Sequence, residues 1–194
     1  MIRAAEIEKR YGRAWALRRL SFELAVGGFL IVTGPNGSGK TTLLRLLAGL
    51  AAPTGGSLAV AVPRERLGYL GHDPLVYRDL SGLENLELYG RLYRVPERRE
   101  RVGMLLERFG LWTARNRRVS EYSRGMSQRL ALCRALLHDP AFLVLDEPFT
   151  ALDEEGAALL DRELTLLAGT TTVVCSTHDP ARIETLASDR LALT

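Results

Sequence analysis

The chain has 194 residues, enough for one large or two small domains, and its 46% hydrophobic and 25% charged residues are ordinary for a folded soluble protein. No apolar stretch approaches the roughly 20 residues that cross a bilayer, and Met1–Glu6 carries no signal-peptide core, so a cytosolic chain is expected whose membrane contacts run through a partner. The net charge of +3 conceals an asymmetry: Arg91 to Arg134 holds twelve arginines and four glutamates, which is +8 and leaves −5 elsewhere. That stretch reads as solvated surface; the alternative is a segment facing anionic nucleotide or lipid head groups. No nucleic-acid-binding module accompanies it.

Two half-buried strands are expected around Ala4–Glu8 and Ser21–Val26, before Gly27-Gly28 breaks into the apolar run Phe29–Val32. A helix over Thr42–Leu47 ends near Gly49, and Pro53–Gly56 forms a turn between it and short strands at Ser57–Val62 and Arg66–Leu70. Ser81-Gly82-Leu83-Glu84 is a capping-box pattern that opens a helix. A second helix starts at Pro96, with Val102, Leu105, Leu106 and Phe109 on its apolar side, and stops at Gly110. Then come a helix over Met126–Leu137, a strand over Ala141–Leu145, a helix over Glu154–Ala168, a strand over Thr171–Ser176, a short helix after Pro180 and a terminal strand. His138 is expected to cap the helix before it. Cys133 and Cys175 sit in apolar runs and read as small buried hydrophobes, not as a disulfide or metal pair. Trp15 and Trp112 read as packing residues.

Alternating strands and helices predict an α/β layered fold with a parallel sheet. The division expected is a nucleotide-binding core with a small antiparallel β subdomain over about residues 1–71 and 134–194, and an inserted helical subdomain over about 72–133.

The chemistry concentrates at Gly34-Pro35-Asn36-Gly37-Ser38-Gly39-Lys40-Thr41-Thr42, which fits the P-loop pattern between a strand and a helix. Its glycines let backbone N–H groups turn inward as an anion nest at a helix N-terminus. Lys40 then reaches the outer phosphates of ATP, and the Thr41 hydroxyl can ligate Mg²⁺. Phe142–Leu145 is a second apolar run, and it ends in Asp146 and Glu147. A buried strand that delivers acids at its C-terminal edge puts them at the nucleotide crevice of an α/β sheet. Asp146 then suits Mg²⁺ and Glu147 suits the attacking water, although Asp-Glu-Pro is also a helix-start sequence.

Four segments in order, the P-loop, Tyr122-Ser123-Arg124-Gly125-Met126-Ser127-Gln128-Arg129, Asp146-Glu147 with Thr150-Ala151-Leu152-Asp153, and Ser176-Thr177-His178-Asp179, resemble an ATP-binding-cassette (ABC) ATPase across essentially the whole chain. The resemblance implies that Tyr11 stacks on adenine, that Asp146 supports the metal, that Glu147 is the base and that His178 contacts the γ-phosphate and water. It implies further that Ser123 and Gly125 complete the ATP site of a second cassette in a head-to-tail dimer, with Arg124, Met126 and Asp153 at the interface. Membrane permease subunits are the implied partners, and Leu75, Val76, Tyr77, Leu83 and Tyr89 either receive them in a groove or belong to the subdomain's own core.

The chain departs from the family pattern at two places. The family signature is Leu-Ser-Gly-Gly-Gln, and this chain has Tyr122-Ser123-Arg124-Gly125-Met126. After the strand Leu67–Leu70 the family places a glutamine, and this chain places His72, which can hydrogen-bond or ligate a metal. Asp73 is the alternative substitute. Tyr69-Leu70-Gly71-His72, the altered signature and the short Pro53–Gly68 turn look most like the ATP-binding subunit of the haem exporter of cytochrome c maturation, with no C-terminal regulatory domain expected after Thr194. The other classes weighed are a soluble ABC ATPase acting on translation or DNA, and a P-loop phosphotransferase.

Overall fold

The computed structural model describes all residues from Met1 to Thr194. Eight strands form two sheets. β1 (Ile2–Tyr11), β2 (Ala14–Leu24) and β4 (Gly55–Val60) make an antiparallel sheet in the order β2-β1-β4. β3 (Phe29–Thr33), β5 (Leu67–Leu70), β6 (Phe142–Asp146), β7 (Thr172–Ser176) and β8 (Asp189–Ala192) make a parallel sheet in the order β5-β6-β7-β3-β8. The helices are α1 (Lys40–Leu47), α2 (Gly82–Leu92), α3 (Arg98–Arg108), α4 (Arg124–Leu136) and α5 (Glu154–Leu167), and no helix is long and apolar enough to cross a membrane.

The parallel sheet divides two hydrophobic cores, and strand alternation decides which residue enters which. Phe29, Ile31, Leu143, Leu145, Val173 and Cys175 face the larger core with α2, α3, α4 and α5. Leu30, Val32, Phe142, Val144 and Val174 face the smaller core with α1 and the antiparallel sheet. With both faces buried, the runs Phe29–Val32, Phe142–Leu145 and Val173–Cys175 are apolar, as parallel strands covered on two sides are, and polar residues come only at the strand ends.

Four expectations are corrected. β1 and β2 are longer than the half-buried runs suggested, because they form one hairpin turning at Gly12-Arg13. α3 starts at Arg98 and not at Pro96, since Glu97 at its N-cap takes a left-handed backbone (φ 47°). The segment after Pro180 is a 3-10 helix, Pro180–Leu186. His138 does not cap α4: its Nε2 meets the Leu67 carbonyl of β5 at 3.1 Å, and burial holds its pKa below the usual histidine value. The α4 terminus is instead closed by Arg101, whose Nη2 donates to Leu136 O (2.9 Å) and Nε to Leu137 O (3.3 Å).

Across the helices, Arg108 Nη1 donates to both carboxylate oxygens of Glu163, at 3.0 and 2.9 Å, and Glu163 is only 4% exposed. Arg108→Ala is expected to destabilise the fold by about 2–3 kcal/mol, because it strands a buried carboxylate. The double change Arg108→Met with Glu163→Leu should recover most of that loss. Urea unfolding at constant m-value checks both.

Candidate functional site

Three parallel strands deliver the site. β3 ends in the P-loop, β6 in Asp146-Glu147 and β7 in Ser176-Thr177-His178, all at the C-terminal edge of the sheet. Gly39 caps α1 with φ 99°, and a Cβ there would collide with the Ala16 carbonyl; Gly34 (φ 145°) is held as closely between Leu193 O and Ser38 Oγ. Both positions therefore need glycine for space as well as for conformation. α1 begins at Lys40, two residues earlier than its apolar face suggested.

A cavity of about 480 Å³ opens at this edge, and Pro35, Asn36, Gly37, Gly39, Lys40, Thr41, Thr42, His72, Asp146, Glu147 and His178 line it with Ala16 and Thr150. Lys40 is 7% exposed, and its Nζ donates to the carbonyls of Gly34 (2.7 Å) and Pro35 (3.2 Å) while lying 3.9 Å from Glu147 Oε1. On the other side of Glu147 Oε1, His178 Nε2 approaches to 3.1 Å without hydrogen-bond geometry. Glu147 thus offers a buried oxygen with no hydrogen-bond partner between two nitrogen groups. Asp146 is 3% exposed, and its Oδ2 is likewise buried and unpaired. Behind both acids lies Cys175, whose thiol is pushed up by burial first and then by the charges of Glu147 and Asp146.

The remaining sequence-predicted residues lie around this centre. A second cavity of about 790 Å³ shares His72, Asp146, Glu147 and Thr150 with the first and adds Arg124, Ser127, Gln128 and Ala151. Ser123 Oγ accepts the Met126 N–H (3.1 Å) as the N-cap of α4, and Asp153 Oδ1 accepts the Gly156 N–H (2.8 Å) as the N-cap of α5. Gly125 packs against the 150–153 loop closely enough that a Cβ would sit 3.0 Å from Ala151 O. Tyr11 is 50% exposed at the hairpin tip, with Lys9 Nζ 5.0 Å from its ring centre, and it lines neither cavity. Of the groove residues, Val76, Leu83 and Tyr89 pack against the larger core, while Leu75 and Tyr77 are exposed. Sequence reasoning missed Ala16, Thr150, Gln128 and the hydroxyl of Ser176. Thr150, Gln128 and Ser176 lie inside the family motifs, and Ala16 lies outside them.

A phosphate-cradling loop, two acids and a histidine gathered at the edge of a parallel sheet define a P-loop nucleotide site. Residues 17–150 match the family model described as ABC transporter, and the chain belongs to that family as an ABC ATPase domain. It is 41% identical over 198 residues to the daunorubicin resistance ATP-binding protein DrrA3 of Streptomyces coeruleorubidus, covering 96% of this chain and 62% of that protein. It is 38% identical over 199 residues to the Nod factor export ATP-binding protein I of Burkholderia orbicola, covering 96% of this chain and 65% of that protein. The chain therefore spans only about two thirds or less of the length of these relatives. Among solved structures, it superposes with TM-score 0.86 and 27% identity on a dimeric ATP-binding cassette in a post-hydrolysis state with ADP and Pi, covering 100% of this chain and 94% of that one. The mixed sheets and helices are the ABC ATPase fold.

Proposed function

We propose that this chain is the ATP-hydrolysing motor of a bacterial exporter, acting as a head-to-tail pair of cassettes on membrane permease subunits at the inner face of the cell membrane. The observation that carries the proposal is the buried, unpaired Oε1 of Glu147, set between Lys40 and His178 in the P-loop cavity. An acceptor so placed takes the proton of a water attacking the γ-phosphate. Lys40 and the P-loop N–H groups hold the phosphates, Tyr11 stacks on adenine from the hairpin, and His178 orients the water and γ-phosphate. Asp146 Oδ2 and the Thr41 hydroxyl suit Mg²⁺, which would neutralise charge on the transferring phosphoryl group. No three acidic, histidine or cysteine groups cluster to hold a cation unaided, so most of its ligands would be phosphate oxygens and water.

In this reading residues 72–133 form the helical arm, whose Ser123 and Gly125 close the partner's site, with Arg124, Met126 and Asp153 at the interface. Leu75 and Tyr77 are the exposed apolar pair offered to the permease. Export is supported by the name of the Nod factor export relative. A second reading, haem export in cytochrome c maturation, rests on the resemblance carried by Tyr69-Leu70-Gly71-His72 and the altered signature Tyr122–Met126.

Purification of the tagged full chain from membranes of its host, followed by reconstitution with the integral proteins that accompany it, tests the proposal. Permease-dependent, ATP-driven export supports it, and cytochrome c maturation subunits select the haem reading. Association with ribosomes or DNA instead of a permease removes it. In the same assay His72→Ala is expected to lower transport per ATP hydrolysed by about tenfold, as loss of coupling between two sites does. His72→Gln, which restores the family residue, should retain the coupling.

A further inference from the structure

One buried hydroxyl ties the two acids of the site together. Asp146 and Ser176 are register partners on the adjacent parallel strands β6 and β7, and Ser176 has no solvent exposure. Its Oγ donates to Asp146 Oδ1 at 2.8 Å and accepts the backbone N–H of Glu147 at 2.9 Å. A hydroxyl has a single proton, so its one donor is committed to the aspartate. The aspartate is thereby held with Oδ1 satisfied and Oδ2 buried and unpaired, in a residue that lines the cavity. Glu147 sits in the left-handed region at φ 49°, a strained conformation for a residue with a side chain. Its N–H is anchored on Ser176 and its carbonyl accepts the Thr150 N–H at 3.1 Å. Two residues beyond Ser176 stands His178, beside Glu147 Oε1.

We propose that Ser176 is a positioning residue: its hydroxyl selects the Asp146 oxygen presented to a divalent cation and holds Glu147 in the left-handed backbone that aims its carboxylate at the phosphate cavity. The inference rests on the ATPase reading above. It predicts that cation use and turnover depend on a donor at position 176, and not on the volume filled there.

The test uses the full chain and the variants Ser176→Ala, Ser176→Cys and Ser176→Thr. A fluorescent ATP analogue is titrated in EDTA and in Mg²⁺, thermal unfolding is followed in parallel, and kcat and KM are measured. Ser176→Ala should bind nucleotide in EDTA within about twofold of wild type, yet lose about tenfold or more of the tightening brought by Mg²⁺, the usual scale for removing a group that orients a metal ligand. Its kcat should fall by a similar factor with KM little changed. Ser176→Cys keeps the volume but is a weak donor, so it should behave like Ser176→Ala; Ser176→Thr should restore the Mg²⁺ response. Full function in Ser176→Cys makes the role one of packing and overturns the inference. An Ser176→Ala chain matching wild type in both the Mg²⁺ response and kcat overturns it too, as does a wild-type affinity indifferent to Mg²⁺. Failure of the wild type to bind nucleotide at all is a separate result, which takes down the ATPase reading itself.

Discussion

Glu147→Gln is expected to cut ATP turnover by at least about a hundredfold while leaving nucleotide binding intact. General-base catalysis contributes about 10²–10⁴ to such a step, and the amide cannot accept the proton of the attacking water. The substitution keeps the side-chain length, so the left-handed backbone and its bond to Ser176 need not change. It also removes a negative charge 3.9 Å from Lys40 Nζ, which favours retention of the anionic γ-phosphate. Nucleotide should therefore stay bound unhydrolysed and hold two cassettes together. Single-turnover phosphate release, with size-exclusion chromatography in ATP, reads both consequences. Turnover near the wild-type rate would remove Glu147 from the role of base.

Lys40→Ala should weaken ATP binding by roughly 10–100-fold, the scale of a lost hydrogen bond to a charged group. The ammonium is nearly buried and bonded to the Gly34 and Pro35 carbonyls, so it is held at the loop before any phosphate arrives. Lys40→Arg should not rescue, because the planar guanidinium cannot occupy the place of a compact ammonium between two carbonyls. Equilibrium titration with a fluorescent ATP analogue measures the loss. Undiminished affinity in Lys40→Ala would count against the phosphate assignment of the loop.

What the sequence made legible was local. Phe29–Val32, Phe142–Leu145 and the 173–175 run are apolar because both faces of the sheet are covered, so strand identity could be read directly from them. For the same reason, which residue entered which core could not be: with no polar face there is no alternation to read. β1 and β2 were underestimated because left-handed residues, Glu6 (φ 50°) and Arg19 (φ 43°), accompany register shifts that break the period-two pattern. The P-loop and acidic pair were legible as contiguous motifs. Ser176 was quoted only for its neighbour His178, since its partners lie 30 and 29 residues away in the chain. His138 misled for a related reason. Its partner Leu67 is 71 residues distant, whereas a cap is sought within one turn.

The two cysteines carry a consequence outside nucleotide chemistry. Both thiols are completely buried, Cys133 in α4 and Cys175 in β7, and burial pushes each well above the ordinary thiol range. Alkylating reagents attack the thiolate, so the native chain is expected to resist them on two counts, access and ionisation. Any molecule that takes up label has opened. The rate of labelling under native conditions is therefore a clock for opening of the fold, built into the chain without an added probe, and it can be read residue by residue because one thiol reports a helix and the other a central strand.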